Sequence, residues 1–221
     1  MPLQNRVTPF GEIVAVPQRG LFMGNRGRLH DDAQRLTGPR YTTRAWLICL
    51  LSFKGRHRRV MSPGHYTELF FLDEATGLAA GHRPCAECRS ADFKRFKEAW
   101  LAANGALLQA PAAPERPLPV GRLDAVLHAE RMALQAAPPA ERALPRTPLD
   151  ELPDGVFVTL DDPREAFLVH GSGLYRWTPG GYEPPRLRPR GLVVGVLTPG
   201  STVRAIAAGY APVLHPSIKP R

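Results

Sequence analysis

Residues 44–53 read Arg-Ala-Trp-Leu-Ile-Cys-Leu-Leu-Ser-Phe, and this stretch decides the fold. Apolar, aromatic and β-branched residues follow one another without the polar alternation of a strand that has one face in water. The pattern predicts a strand covered on both faces, and we expect it to be the central strand of a sheet. Lys54-Gly55-Arg56 follows, and residues 57–61 suit a returning strand, so Lys54, Arg56, Arg58 and Arg59 would lie at or near a hairpin tip.

Upstream of this strand, residues 11–16 suit a short strand and residues 21–30 suit a hairpin. Its turn would be Asn25-Arg26-Gly27, because asparagine and glycine tolerate the positive φ of a tight reversal. Arg26 is then expected at the tip and Arg28 beside it. The two arginine-bearing hairpins are predicted to share one face.

Downstream, the pattern changes from helical to β-rich. Asp73 suits the N-cap of a helix over residues 74–80, and Ser90 that of a longer helix over residues 91–103. Prolines dominate residues 111–153 except in a helical window at 122–135. We therefore predict an α+β fold in three parts: a basic sheet with two helices at residues 1–105, a proline-rich linker containing one helix at 106–153, and a smaller β-rich lobe at 154–221.

Positive charge is concentrated in the first sixty residues, which hold eleven Lys and Arg against three acidic residues, a net charge of +8. The remaining residues hold eighteen basic against seventeen acidic side chains. This asymmetry predicts a nucleic acid partner, DNA or RNA, bound through counterion release. The alternative is an arginine-rich surface set by overall composition. The predicted phosphate contacts are Arg26, Arg28, Lys54, Arg56, Arg58 and Arg59.

No apolar run approaches the roughly 20 residues needed to cross a bilayer, and the first residues do not resemble a signal peptide. The chain is therefore expected in the cytoplasm and away from membranes. Three cysteines, an odd number, make a disulfide framework unlikely in that setting.

The most specific motif is the Cys85-Ala-Glu-Cys88 turn ahead of the second helix. A Cys-x-x-Cys turn can bring two thiolates to one Zn²⁺, and Cys49 is the only other sulfur ligand that the sequence offers. Further ligands would come from His57, His65 or His82. Two alternatives stay open: buried thiols without metal, and a redox pair at a helix N-terminus.

The segment Ala79-Ala-Gly-His-Arg-Pro-Cys-Ala-Glu-Cys-Arg89 resembles the second half of the zinc-binding module of the Ada methylphosphotriester repair family. The resemblance extends over about residues 41–100. It implies zinc held by Cys85 and Cys88, DNA binding and a role in repair. The family has two further cysteines, one of which accepts the methyl group, whereas this chain has only Cys49 there, so the resemblance does not extend to methyl transfer.

Two other functions remain open. On the predicted helix at 122–135, Asp124 and His128 are four residues apart and share a face, with Glu130 nearby. Such a set suits the acid–base or metal chemistry of a hydrolase or nuclease. The second alternative is a protein-interaction module that binds no nucleic acid.

Overall fold

A computed structural model describes residues 1–55, 58–108 and 120–219. Within this part the chain forms two sheets and four α-helices, which confirms the α+β fold class. The first sheet contains β1 (Gln4–Val7), β2 (Ile13–Ala15), β3 (Phe22–Asn25), β4 (Leu47–Cys49), β5 (Leu69–Phe71) and β6 (Arg83–Pro84). The helices are α1 (Glu74–Ala79), α2 (Ser90–Asn104), α3 (Val120–Leu134) and α4 (Gly200–Ala207).

The second sheet is antiparallel throughout and lies in the β-rich C-terminal part. Its strand order is β11-β10-β9-β8-β13-β7, and β12 also pairs with β10. The strands are β7 (Arg146–Pro148), β8 (Phe157–Thr159), β9 (Phe167–His170), β10 (Gly173–Thr178), β11 (Gly181–Tyr182), β12 (Arg186–Leu187) and β13 (Val193–Val196). Three short 3-10 helices, Gly105–Leu108, Pro139–Glu141 and Leu149–Glu151, complete the described secondary structure.

The first sheet is mixed, with strand order β2-β1-β5-β3-β4-β6. β4 pairs antiparallel with β3 and parallel with β6, so it is interior but second from the edge rather than central. Both predicted hairpins are wrong. β3 pairs with β4 and β5 instead of with residues 28–30, and β6 occupies the side of β4 that a returning strand would need.

Helix α1 lies between the two sheets and contacts β5 and β8. Asp73 is its N-cap and accepts a hydrogen bond from the Thr76 N–H at 2.9 Å, as the sequence predicts. A Cβ at Gly77 would come within 2.7 Å of Ile48 Cδ1, so the helix backbone packs directly on β4. At the C-terminal end, Gly81 has φ +84°, a conformation that favours glycine.

One buried apolar cluster combines both halves of the chain. It contains Phe71 and Trp100 from the first part and Val158 and Phe167 from the second. Leu127, from the predicted linker, belongs to the same cluster, and β7 of that segment pairs with β13. The predicted boundary at residue 153 therefore does not separate two hydrophobic cores.

Two consecutive buried carboxylates tie α1 to distant segments. Asp73 accepts hydrogen bonds from the Tyr182 hydroxyl at 2.7 Å and from the His215 N–H at 3.0 Å. Glu74 accepts from the Tyr210 hydroxyl and from the Val213 N–H. Burial raises the pKa of Asp73 although these donors oppose the effect. The C-terminal segment is thus held by polar contacts as well as by apolar packing.

Candidate metal centre

The three cysteines of the chain lie together because of the parallel pairing of β4 with β6. Leu47 is in register with Arg83 and Ile48 with Pro84, so Cys49 and Cys85 are the next residues along two adjacent strands. The Cys85 N–H donates to the Ile48 carbonyl at 2.9 Å, which continues the ladder to the cysteines. Both side chains are buried at about 8% exposure.

Cys88 joins them from the turn between β6 and α2. The Leu50 N–H donates to Cys88 Sγ at 3.4 Å, and this bond fixes the turn against the end of β4. The three sulfur atoms lie within 4.8 Å of one another. Ligands of a tetrahedral Zn²⁺ at about 2.3 Å are roughly 3.8 Å apart, so only small side-chain adjustments separate this cluster from zinc-binding geometry. The predicted meeting of Cys49 with the Cys85/Cys88 pair is confirmed.

The three thiols differ in acidity. A hydrogen bond from the Cys49 thiol, joined by the N–H groups of Cys88 and Glu87, lowers the pKa of Cys85 to about 5 against the opposing effect of burial. The same hydrogen bond and burial raise the pKa of Cys49. Burial also raises the pKa of Cys88. Cys85 is therefore the most acidic of the three thiols, and a bound cation would displace the protons that the cluster retains.

Among the described residues, no histidine or carboxylate joins the three sulfurs. His82 is buried elsewhere, with its ring 5.0 Å from that of Trp46 and its Nε2 accepting from Arg26. His65 is exposed on the loop that follows Met61. Both are therefore wrong as predicted ligands, and His57 lies outside the described residues.

A cavity of about 530 Å³ adjoins the cysteines. Phe53, Tyr66 and Phe70 line it together with an ion pair in which the Arg58 Nε donates to Glu68 at 2.8 Å. Glu68 is only 5% exposed and also accepts from the Met61 N–H at 2.7 Å. The loop between β4 and β5 therefore starts directly after Cys49 and is held again at Glu68, and its residues line the cavity.

The cysteines lie on the face of the first sheet that is turned away from the apolar core. Strand registers align Arg6 with Phe70, Phe70 with Met23 and Met23 with Cys49 across four strands. The Arg6 guanidinium lies 4.8 Å from the Phe70 ring, a cation–π distance. This face thus carries a row running from an arginine through an aromatic ring to the candidate metal ligands.

The predicted phosphate-binding residues lie in different environments. Arg28, Lys54 and Arg59 are exposed, and Arg28 pairs with Asp32 at 3.1 Å. Arg58 binds Glu68 and lies 4.3 Å from the Tyr66 ring, so its charge is largely compensated. Arg56 lies outside the described residues.

Arg26 is placed differently from its prediction, because it is 1% exposed rather than at a hairpin tip. Its guanidinium stacks 4.1 Å from the Trp46 ring, and its Nη1 donates to the Gly11 carbonyl at 3.0 Å. The predicted placement of Arg26 at an exposed hairpin tip is therefore wrong. The turn sequence gave no sign of this, because Trp46 and His82, its partners, are distant in the chain.

The chain segment around Arg28 lies beside the segment that follows Arg59. The Thr67 N–H donates to the Gly27 carbonyl at 3.0 Å, and His30 Nε2 lies 3.2 Å from the Ser62 carbonyl. Gln34 donates to the Val60 carbonyl at 2.7 Å. The segment that bears Arg28 is therefore fastened along the segment that follows Arg59.

The predicted acid–base set of Asp124, His128 and Glu130 is not assembled, because each side chain contacts a different part of the fold. Asp124 forms two hydrogen bonds with the buried Arg83, at 2.7 and 2.8 Å. His128 packs edge-on against Tyr41, and Glu130 accepts from the Ser201 N–H on α4. In the described part of the chain these three side chains therefore do not converge on one reaction centre.

No helix in the described ranges has the length and apolar character required to span a membrane. The chain matches no protein-family model, no curated protein and no solved structure. The candidate metal site is therefore inferred only from the positions of its cysteines.

Proposed function

We propose that the chain is a nucleic-acid-binding protein, with DNA as the favoured partner, in which a zinc ion held by Cys49, Cys85 and Cys88 anchors a basic loop. The observation that carries the proposal is the approach of the three sulfurs to within 4.8 Å of one another. The resemblance of residues 79–89 to the Ada zinc module favours DNA and a repair context.

The donor set suits zinc on chemical grounds. Thiolates select soft or borderline cations, and Zn²⁺ is readily held by cysteine sulfur in protein sites. Three protein ligands leave one tetrahedral position for a further ligand. Bound zinc would cross-link β4, β6 and the turn before α2, so that metal binding and folding are coupled.

The loop from residue 50 to residue 68 connects this centre to the positive charge. It begins one residue after Cys49 and carries Lys54 and Arg59, both exposed. Arg59 forms no ion pair with any described residue, so its charge is available to a phosphate. The basic residues of this loop are part of the net +8 of the first sixty residues, and such a field attracts polyanions.

Metal analysis tests the first half of the proposal. We expect the purified chain to hold one zinc per molecule, and Co²⁺ substitution to give thiolate charge-transfer absorption. Cys88→Ser should lose most of the metal, whereas His65→Ala, an exposed control, should keep it. Purified wild-type chain that holds no zinc and binds no Co²⁺ would refute the metal centre.

Binding of a labelled duplex, followed by fluorescence anisotropy over a range of salt concentrations, tests the second half. Each phosphate contact contributes about −0.9 to the slope of log affinity against log salt. Lys54→Gln combined with Arg59→Gln should make this slope shallower by about 1.8. The matched control, Lys94→Gln with Arg190→Gln, removes the same charge from exposed positions elsewhere and should leave the slope unchanged. Absence of wild-type binding at about 50 mM salt would contradict nucleic acid binding.

A further inference from the structure

A second cavity, of about 310 Å³, lies apart from the cysteines between the start of the chain and the segment after α3. Three arginines line it: Arg26, Arg40 and Arg142. Glu12, which is exposed, also lines the cavity. The charged lining therefore has a net charge of two positive units, and the volume is at the lower end of the range for small-molecule sites.

Arg26 is the deepest of these residues and is 1% exposed. Its Nε donates to His82 Nε2 at 3.1 Å and its Nη1 to the Gly11 carbonyl, but its buried Nη2 finds no acceptor in the described part of the chain. Burial, then the charges of Arg131 and Arg40, lower the pKa of Arg26 to about 9. The side chain is still charged at neutral pH, and a buried cation without a counter-charge is costly to maintain.

Neighbouring cations add to this cost. The Arg131 guanidinium lies 4.2 Å from the same Trp46 ring that Arg26 contacts at 4.1 Å. Stacking on the ring offsets part of the cost, because its π face attracts cations. It does not supply a negative charge, and no carboxylate of the described residues forms an ion pair with Arg26.

The other two arginines are held in place without being neutralised. The Arg40 Nη1 donates to the Gln135 carbonyl at 3.1 Å. Arg142 donates to the carbonyls of Ala137 at 2.9 Å and Phe10 at 2.7 Å. Neither forms an ion pair with a carboxylate in the described ranges, although the charge of Glu12 acts on Arg142, and both arginines line the cavity. Oriented guanidinium groups match the oxygens of a phosphate.

We infer that this cavity binds a phosphate group, held between Arg40 and Arg142 at its rim and Arg26 at its base. The group belongs either to a small phosphorylated molecule or to a nucleic acid backbone. An oxyanion would supply the counter-charge that the protein itself does not provide for Arg26. The inference does not depend on the cysteine centre.

Thermal unfolding in inorganic phosphate, compared with sodium chloride at equal ionic strength, tests it. At a phosphate concentration about five times the dissociation constant, the wild-type melting temperature should rise by about 2–4 °C relative to chloride. Arg40→Gln combined with Arg142→Gln should abolish this rise. Both positions are at the rim, so the variant should fold, whereas replacement of Arg26 risks unfolding. Lys94→Gln with Arg190→Gln removes the same charge and should keep the rise.

Duplex anisotropy with the same variants distinguishes the two sources of phosphate. If Arg40→Gln/Arg142→Gln weakens duplex binding more than the control variant does, and phosphate competes with the duplex, the group belongs to the nucleic acid. If duplex binding is unchanged while the phosphate-dependent rise is lost, it belongs to a small molecule. The inference is overturned if wild-type protein melts equally in phosphate and chloride, or if the rim and control variants show the same rise. Neither result bears on zinc content or on the Lys54/Arg59 slope.

Discussion

Replacing Asp124 by Asn should destabilise the fold by about 3 kcal/mol, because it leaves a buried cation without its partner. Arg83 and Asp124 have side-chain exposures of 4% and 9% and form a paired hydrogen-bond contact. Removing one partner of a buried ion pair costs about 3–5 kcal/mol. Asn keeps one acceptor oxygen, so the lower end of that range applies. With a urea m-value of about 2–3 kcal/mol/M, the unfolding midpoint should fall by about 1–1.5 M.

A variant that removes both charges separates this explanation from a catalytic role. Arg83→Met with Asp124→Leu buries no charge, so it should be less destabilising than Asp124→Asn alone. Asp162→Asn, which breaks an exposed ion pair with Arg164, should leave the midpoint almost unchanged. A loss below about 1 kcal/mol for Asp124→Asn, or a double variant as unstable as the single one, would refute the reasoning. If the Asp124 carboxylate is structural, any variant of Asp124 that loses activity should also lose stability.

Two further predictions concern other buried polar groups. Burial and the charges of Arg26 and Arg131 hold the pKa of His82 well below 6.5 in the folded protein. The neutral His82 side chain therefore contributes to stability above pH 6.5, and this contribution is lost as the pH falls toward the folded-state pKa. Urea unfolding should therefore show that the free energy of unfolding falls between pH 7 and pH 5, with at most about 1.4 kcal/mol per pH unit coming from His82. His82→Asn should make this dependence on pH shallower. An unchanged dependence in the variant would contradict the role given to His82. Tyr210→Phe removes a hydroxyl that donates to Glu74 and should lower the free energy of unfolding in urea by about 1.5–3 kcal/mol. The control is Tyr41→Phe, because the Tyr41 hydroxyl has no hydrogen bond in the described structure. It should lower the free energy of unfolding much less. Equal losses for the two tyrosines would count against the Glu74 contact.

Local features of the fold were predictable because they depend on neighbouring residues. The strand at 47–49 follows from its continuous apolar pattern, α1 from its Asp73 cap and α2 from its apolar spacing. The predicted Ser90 cap of α2 is wrong, because Ser90 is the first residue of the helix and the N-cap, Arg89, makes no side-chain capping bond. The Cys-x-x-Cys turn before α2 was also visible, and Cys49 could be named as its third ligand because the chain has no other cysteine.

Long-range features were not predictable, since no local pattern encodes them. The parallel register of β4 with β6 brings Cys49 beside Cys85, and only the tertiary fold sets that register. Arg26 follows an asparagine and precedes a glycine, which normally indicates an exposed turn. Its burial depends on Trp46 and His82, twenty and fifty-six positions away. The division of Asp124 and His128 among different partners depends in the same way on distant elements.

The pairing of Asp73 and Glu74 with the C-terminal segment has a consequence for biosynthesis. The hydroxyl of Tyr210 and the N–H of His215 are 136 and 142 positions further along the chain than their acceptors. At about 5–20 residues per second, a ribosome needs roughly 7–28 s to add those residues after α1 has emerged. During this interval Asp73 has only its local donor Thr76, and Glu74 has only Arg89, so the remaining donors of both buried carboxylates are still missing. Contacts of such high sequence separation also slow folding after release. The polar contacts that fasten the C-terminal segment to α1 can therefore form only after nearly the whole chain has been synthesised.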